Sequence, residues 1–222
     1  MMPRHHYAAL AGRRSRAPTR RRRAAGVAAV ELALLLPMLV LMLFCLVDIA
    51  RALESDLVLI NLSRETANIT ARSSTVNPQT VMSAVSAAAP PLDMNHKGMI
   101  YVTELMGVQV GSSTPAVTRT VVIAQYRWDD ATNNVGYRVS NYAPSSKIWS
   151  CSSWSSADGS CTSIPVVASA PSSSLMSGQL AVGQIIYVAE SYYQFSMLFG
   201  TFKIGNLSMP TIGPNLYSMT VF

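Results

Sequence analysis

The hydropathy of the chain changes period twice. From Val27 to Val47 runs "VAAVELALLLPMLVLMLFCLV", apolar throughout except for Glu31. About 20 apolar residues cross a bilayer as a helix. Pro37 lies inside the run, where a membrane helix accommodates it as a kink. Beyond Val47 polar residues enter at Asp48 and Arg51, yet the helical spacing persists. Leu53, Leu57, Ile60, Arg64, Ala67 and Ala71 recur every three or four residues, with no Gly or Pro before Pro78. This predicts one helix over 27–72, membrane-spanning over 27–47. Residues 73–98 read as a linker, with a short helix at Thr80–Ala89 stopped by Pro90-Pro91.

From residue 99 onward the pattern turns to strands. "GMIYVTELMGVQV", "AVTRTVVIAQYRW", "VGYRVSNY", "VGQIIYVAESYYQF" and "NLYSMTVF" are rich in β-branched and aromatic residues with turn residues between them. They predict a mostly antiparallel sheet of four or five strands in a small domain over 99–222. The Ser-rich stretch 145–177 reads as a long loop. The fold class expected is α+β, a long N-terminal helix followed by this sheet domain.

Charge sharpens the picture. The net charge is +6 over 222 residues, but residues 1–25 hold eight arginines and no acid, so the rest of the chain is slightly acidic. A basic tail can bind nucleic acid, but no basic patch or nucleic-acid motif follows it. Arginines directly before an apolar run hold that end in the cytoplasm. Residues 1–26 therefore read as a disordered, Arg-rich leader, and the domain beyond the span as extracytoplasmic.

Of three cysteines, Cys45 lies in the apolar run, where it behaves as a small hydrophobe. Cys151 and Cys161 flank "SSWSSADGS" in the Ser-rich stretch. A disulfide closing a loop of that size stabilises by about 2–3 kcal/mol and belongs to an oxidising compartment. The rival is a zinc site, which these two cysteines alone do not complete.

A basic region followed by an apolar one has several readings. A secretory signal would find a small-x-small site at Ala50–Ala52, but the run is long for a signal. A lipoprotein site would need a small residue before Cys45, where Phe44 stands. A plain single-span anchor leaves Glu31 unexplained, because an ionisable group in the membrane is costly.

"GVAAVE", Gly26 to Glu31, resembles the processing site of type IV-class prepilins. The resemblance implies a cut after Gly26, with Val27 as the new N-terminus and Glu31 as its fifth residue. It also implies that Glu31 pairs with the α-amine of a neighbouring subunit on assembly. Pairing opposite charges relieves much of the cost of burying either. "AAVELALLLPMLVLMLFCLVDIARAL" further resembles the N-terminal signature of TadE-like proteins, minor pilins or pseudopilins of the tight-adherence pilus. The shared features are Glu31, Leu36-Pro37, Phe44, Asp48 and Arg51; Leu32 and Cys45 depart from residues common there. "IIYVAESYYQF", with Glu190, Tyr192 and Tyr193, is similar to a strand of the same family. The family implies as partners a prepilin peptidase, other pilin subunits, an inner-membrane assembly platform and membrane lipid, with no nucleic acid. It places the protein in a bacterial inner membrane, N-terminus cytoplasmic and domain periplasmic, reaching the cell exterior in the filament.

Signs of catalysis are few. His5 and His6 belong to the leader, and His96 sits beside Lys97 in a surface segment, a poor member for a Ser-His-Asp set. No phosphate loop or HExxH appears. Asp129-Asp130 in "WDDATNNVG" reads as a hairpin turn or as a calcium loop. Tyr192, Tyr193, Phe195, Phe199 and Phe202 read as core or subunit packing, or as an adhesive surface. Asp48 and Arg51 lie three apart, within reach of an intrahelical pair. The expectation is a non-enzyme with no cofactor and no metal. A membrane-anchored periplasmic ligand-binding or envelope-scaffold protein is the alternative.

Overall fold

A computed structural model describes residues 20–73, 76–112, 117–199, 203–204, 207–208, 213 and 215–222, with backbone alone for 20–25, 168, 203–204 and 207–208. His5, His6, Phe202 and the first 19 residues of the leader lie outside the described residues. The chain divides into two units, residues 1–45 and 46–222, each taken by itself.

Helix α1 spans Arg20–Arg72 and continues through Pro37. It begins seven residues before Val27, so Arg20–Gly26, expected to be disordered, is helical. Arginine and alanine are both strong helix formers, and this propensity offsets the repulsion of four adjacent arginines at the positive end of the helix dipole. In the first unit every residue from Gly26 to Val40 is exposed. An α-helix that is apolar and exposed all round is covered by lipid or by other helices.

The second unit starts inside α1. Here Asp48, Ala52, Ser55, Leu59, Leu62, Ser63, Thr66, Ala67 and Thr70 are buried. Their steps of three and four draw one helix face. Helix α2 follows at Pro78–Ala87, with Pro78 at its first turn and the Asn77 side chain accepting from the Gln79 N–H at 2.9 Å. This cap and proline start the helix two residues before the expected Thr80. A single turn, α3, occupies Met94–Lys97, capped by Asp93.

Strand β1 (Gly98–Val110) and β2 (Val117–Arg127) form a hairpin with a bulge at Glu104/Leu105. A two-residue hairpin, β3 (Asp129–Asp130) with β4 (Val135–Gly136), leads into the turn of helix α4 (Tyr137–Ser140). The expected strand "VGYRVSNY" is therefore corrected: only its first two residues are extended. Gly136 at φ 83° turns the backbone out of the ladder, and Arg138 is drawn back to Asp129 at 2.9 Å. Strand β5 (Ser172–Ser173), β6 (Ile185–Gln194), the short pair β7 (Lys203–Ile204) and β8 (Leu207–Ser208), and β9 (Asn215–Val221) complete the elements. The main sheet has the order β5-β2-β1-β6-β9 and is antiparallel throughout. The fold is α+β.

Register sorts the side chains. Tyr101 lies opposite Glu190 and Arg127, Thr103 opposite Val188 and Gln125, and Tyr192 opposite Tyr217, so these share one face. Ser191, Ser218 and Thr220 share the other. There Ser63 Oγ sits 2.9 Å from Ser218 Oγ and 3.1 Å from Thr220 Oγ1, and Ser191 Oγ donates to the Leu59 carbonyl at 3.1 Å. Small hydroxyl side chains at this contact let α1 lie close to the strands. The opposite face is covered by the segment 141–180, which is mostly irregular but supplies β5 to the sheet edge.

Candidate functional site

Gly26, Val27, Glu31 and Pro37 all lie on α1 within the first unit. Val27 is 59% exposed, and Glu31 is exposed and makes no ion pair among the described residues. One turn separates Val27 from Glu31, so both stand on the same helix face. A Cβ built on Gly26 would meet nothing within 4 Å. Neither packing nor backbone geometry asks for glycine there, and glycine inside a helix costs about 1 kcal/mol relative to alanine. Pro37 has no N–H, so the carbonyl of Ala33 lacks its usual partner.

In the second unit four acids, Asp48, Glu190, Asp129 and Asp130, serve as acceptors in three clusters. The first lies where the apolar run ends. Asp48 is 1% exposed, and its two carboxylate oxygens accept the backbone N–H groups of Leu198 and Phe199, each at 2.9 Å. Arg51 Nη1 stands 3.6 Å from Asp48 Oδ1, and the guanidinium lies 5.6 Å from the Phe195 ring centre. The pair expected from their spacing is present, but the main duty of Asp48 is to hold a loop 150 residues away. A groove of about 220 Å³ opens beside Arg51, walled also by Glu54, Lys97, Tyr193, Phe195 and Ser196.

The second cluster surrounds Glu190, which is fully buried. Its Oε1 accepts the Lys147 N–H at 2.9 Å and the Tyr192 and Tyr217 hydroxyls at 3.1 Å each. Its Oε2 accepts the Ser146 hydroxyl. Four donors satisfy the carboxylate and tie the irregular segment to β6 and β9. Lys147 Nζ lies 3.5 Å from the Tyr217 ring centre, and Gln125 Nε2 donates to the Ser146 hydroxyl at 3.0 Å. Burial, reinforced by the charge of Glu190, pushes the Tyr192 and Tyr217 phenols up. Burial also raises Tyr101, against the lowering effect of Arg127. Burial pushes Tyr142 up to about 12.

The third cluster is the β3–β4 hairpin. Asp129 accepts from Arg127 and Arg138 at 2.9 Å each. Asp130 Oδ1 accepts the Thr132 and Asn133 N–H groups, and Oδ2 the Ser83 hydroxyl and Asn133 amide. Burial raises Asp130, but these hydrogen bonds outweigh it and hold the carboxyl below its ordinary value. Asn134 takes φ 52°, as a turn residue does. The turn expected at "WDDATNNVG" is present, and protein donors occupy both carboxylates. No group of three or more His, Cys, Asp or Glu suited to a metal occurs among the described residues.

Cys151 and Cys161 are joined, with S–S 1.99 Å and Cα atoms 5.9 Å apart. The bonded segment lies on the sheet through bridges Trp154↔Cys161 and Tyr126↔Ser160. Tyr192, Tyr193 and Phe195 are buried in the core, so these three aromatics pack inside the domain rather than form an exposed surface. His96 is exposed and pairs with Asp93 at 2.9 Å. The structure thus places Gly26, Val27, Glu31 and Pro37 on one helix and the cysteines together. Sequence reasoning missed the loop-holding role of Asp48 and the four-donor site of Glu190. The only signal for the second was an acid within the apolar strand "IIYVAESYY".

These features define a class: a chain with one helix long and apolar enough to cross a membrane, followed by an antiparallel sheet domain. Residues 26–68 match the family model described as TadE-like protein. The match begins at Gly26 and covers the apolar run, Glu31, Asp48 and Arg51. No curated protein and no solved structure matches the chain.

Proposed function

We propose that this chain is a minor pilin, or pseudopilin, of a tight-adherence pilus. One observation carries the reading: Gly26, Val27 and Glu31 stand at the head of an apolar helical stretch, exposed from Gly26 to Val40, inside the segment that matches the TadE-like model. In this reading the arginines hold residues 1–26 in the cytoplasm. A prepilin peptidase cuts after Gly26 and leaves the Val27 α-amine as a cation. Glu31 then pairs with the α-amine of a neighbouring subunit, so that each buried charge finds its opposite. The apolar helix passes from lipid to filament through the inner-membrane assembly platform and packs against other pilin helices. The sheet domain stays outside the cytoplasm, consistent with the joined Cys151 and Cys161. The large head resembles minor components of such filaments, serving pilus biogenesis and surface adherence. The role is non-catalytic and needs no cofactor.

The test is Glu31→Ala in cells that make the pilus. The expected variant is inserted and cleaved but no longer co-purifies with pilus proteins. Unchanged recovery in the pilus fraction contradicts the assembly role. It would favour the alternative, an anchored periplasmic ligand-binding or scaffold protein indifferent to Glu31.

A further inference from the structure

Three observations in the second unit converge on one face of the domain. The first is depth. The apolar run ends at Val47, and Asp48 follows it directly. Asp48 fixes the backbone of Leu198 and Phe199 at its own level on the helix. The second is exposure. Leu198, pinned there, is 60% exposed although nothing polar in its side chain gains from water. The third is charge. Arg51 and Lys97 wall the same groove beside this loop, with Phe195 and Ser196 between them. Lys97 Nζ donates to Ser196 Oγ at 3.1 Å. Arg51 Nη1 makes no hydrogen bond among the described residues; its ion-pair partner Asp48 Oδ1 stands 3.6 Å away, beyond hydrogen-bond length.

Distances along the helix connect these to a bilayer. At about 1.5 Å per residue, the run Val27–Val47 is about 30 Å long, the thickness of the hydrocarbon core. Asp48 then sits at the hydrocarbon edge, and Arg51 lies about 6 Å beyond Val47. The headgroup layer on each side is roughly 5–8 Å deep. Arg51 is therefore at phosphate level, with the apolar loop just below it.

We infer that this face of the domain docks on the bilayer that holds α1: Leu198 enters the edge of the acyl layer, and the Arg51–Lys97 groove takes the phosphate of a phospholipid. The inference rests on the single-span part of the proposed function. Glu54 also walls the groove, so the pocket is not purely cationic; an amine-bearing headgroup would find its counter-ion there. Asp48 stands 3.6 Å from Arg51 Nη1, so the phosphate shares the guanidinium with it. The function of the contact is to hold the head against the membrane until the helix is withdrawn into the filament.

The experiment uses the full chain in nanodiscs with Cys45→Ser as background. Single cysteines Leu198→Cys, Val110→Cys and Met42→Cys each carry an environment-sensitive fluorophore. Val110 lies at the far end of β1 from Lys97, about 40 Å away by strand rise. Lipids bearing a nitroxide on the headgroup or on the acyl chain quench what they touch. Quenching at positions 42 and 198 but not 110 is the expected result. Quenching at 42 with none at 198 overturns the docking and leaves the span intact. No quenching at 42 overturns the span itself, and the docking with it. Lys97→Glu, which leaves the Asp48 contacts alone, should reduce quenching at 198 several-fold. Unchanged quenching would remove the groove from the inference.

Discussion

Two of the four donors on Glu190 come from the irregular segment and two from the sheet, so this one side chain is a principal tie between them. Glu190→Ala leaves the Ser146 hydroxyl, the Lys147 N–H and the Tyr217 phenol without their acceptor, while the Tyr192 phenol keeps the Ser145 carbonyl at 3.0 Å. The expected loss is about 3 kcal/mol of unfolding free energy, measured by denaturant titration of the full chain in detergent. Glu190→Gln keeps the shape and one acceptor oxygen and should cost less. The phenols around it also set a pH limit. An unfolded tyrosine ionises near pH 10.0, and the folded values of Tyr101, Tyr192 and Tyr217 lie higher. Their contribution is complete below that pH and is lost as the pH rises toward the folded values. The denaturation midpoint should therefore fall above pH 10, with these phenolates appearing in the ultraviolet only as the protein unfolds. Early ionisation of all tyrosines with no loss of structure would contradict this. At this scale the sequence was least informative. An acid in a strand shows that something must satisfy it, but not that the donors arrive from 43 residues upstream, as Lys147 does.

Elements were more legible, because period carries the signal. The long strands β1, β2, β6 and β9 are rich in β-branched and aromatic residues, and each appears where that pattern places it. The Tyr137–Ser140 stretch has the same composition but follows Gly136 at positive φ, and an ion pair to Asp129 bends it into a turn. Strand β5 was hidden, since two serines in a Ser-rich stretch carry no alternation. The register of α1 on the sheet can be tested at Ser191, whose hydroxyl meets the Leu59 carbonyl. Ser191→Leu forces a large side chain into that contact and should destabilise by about 1–3 kcal/mol. The turn at Gly159 is a second test. It has φ 64°, and a Cβ there would collide with the Arg127 carbonyl and the Gln79 amide. Gly159→Ala should therefore loosen α2 from β2, since Gln79 Nε2 bonds both the Arg127 and Asp158 carbonyls. Faster hydrogen exchange in α2 would show it; unchanged exchange would mean that α2 is held elsewhere.

At the scale of the whole molecule the chain is divided by charge and redox chemistry. The leader is arginine-rich, while the joined cysteines lie in the sheet domain. Cys45 lies outside that disulfide. Protein denatured without reductant should thus expose one reactive thiol, and three after reduction. Three thiols before reduction, in protein isolated from cells with alkylation at lysis, would mean a reducing compartment for the domain. The proposed processing site was readable from sequence because its parts are adjacent: a glycine without a packing role, an apolar run, and an acid five residues after Gly26. The measurement that bears most directly on the proposed function is the intact mass of the chain from cells with and without their prepilin peptidase. A mature chain beginning at Val27 only where the peptidase is present is the predicted result. A chain that keeps its leader in both strains, or one that begins at Leu53, would contradict the pilin reading.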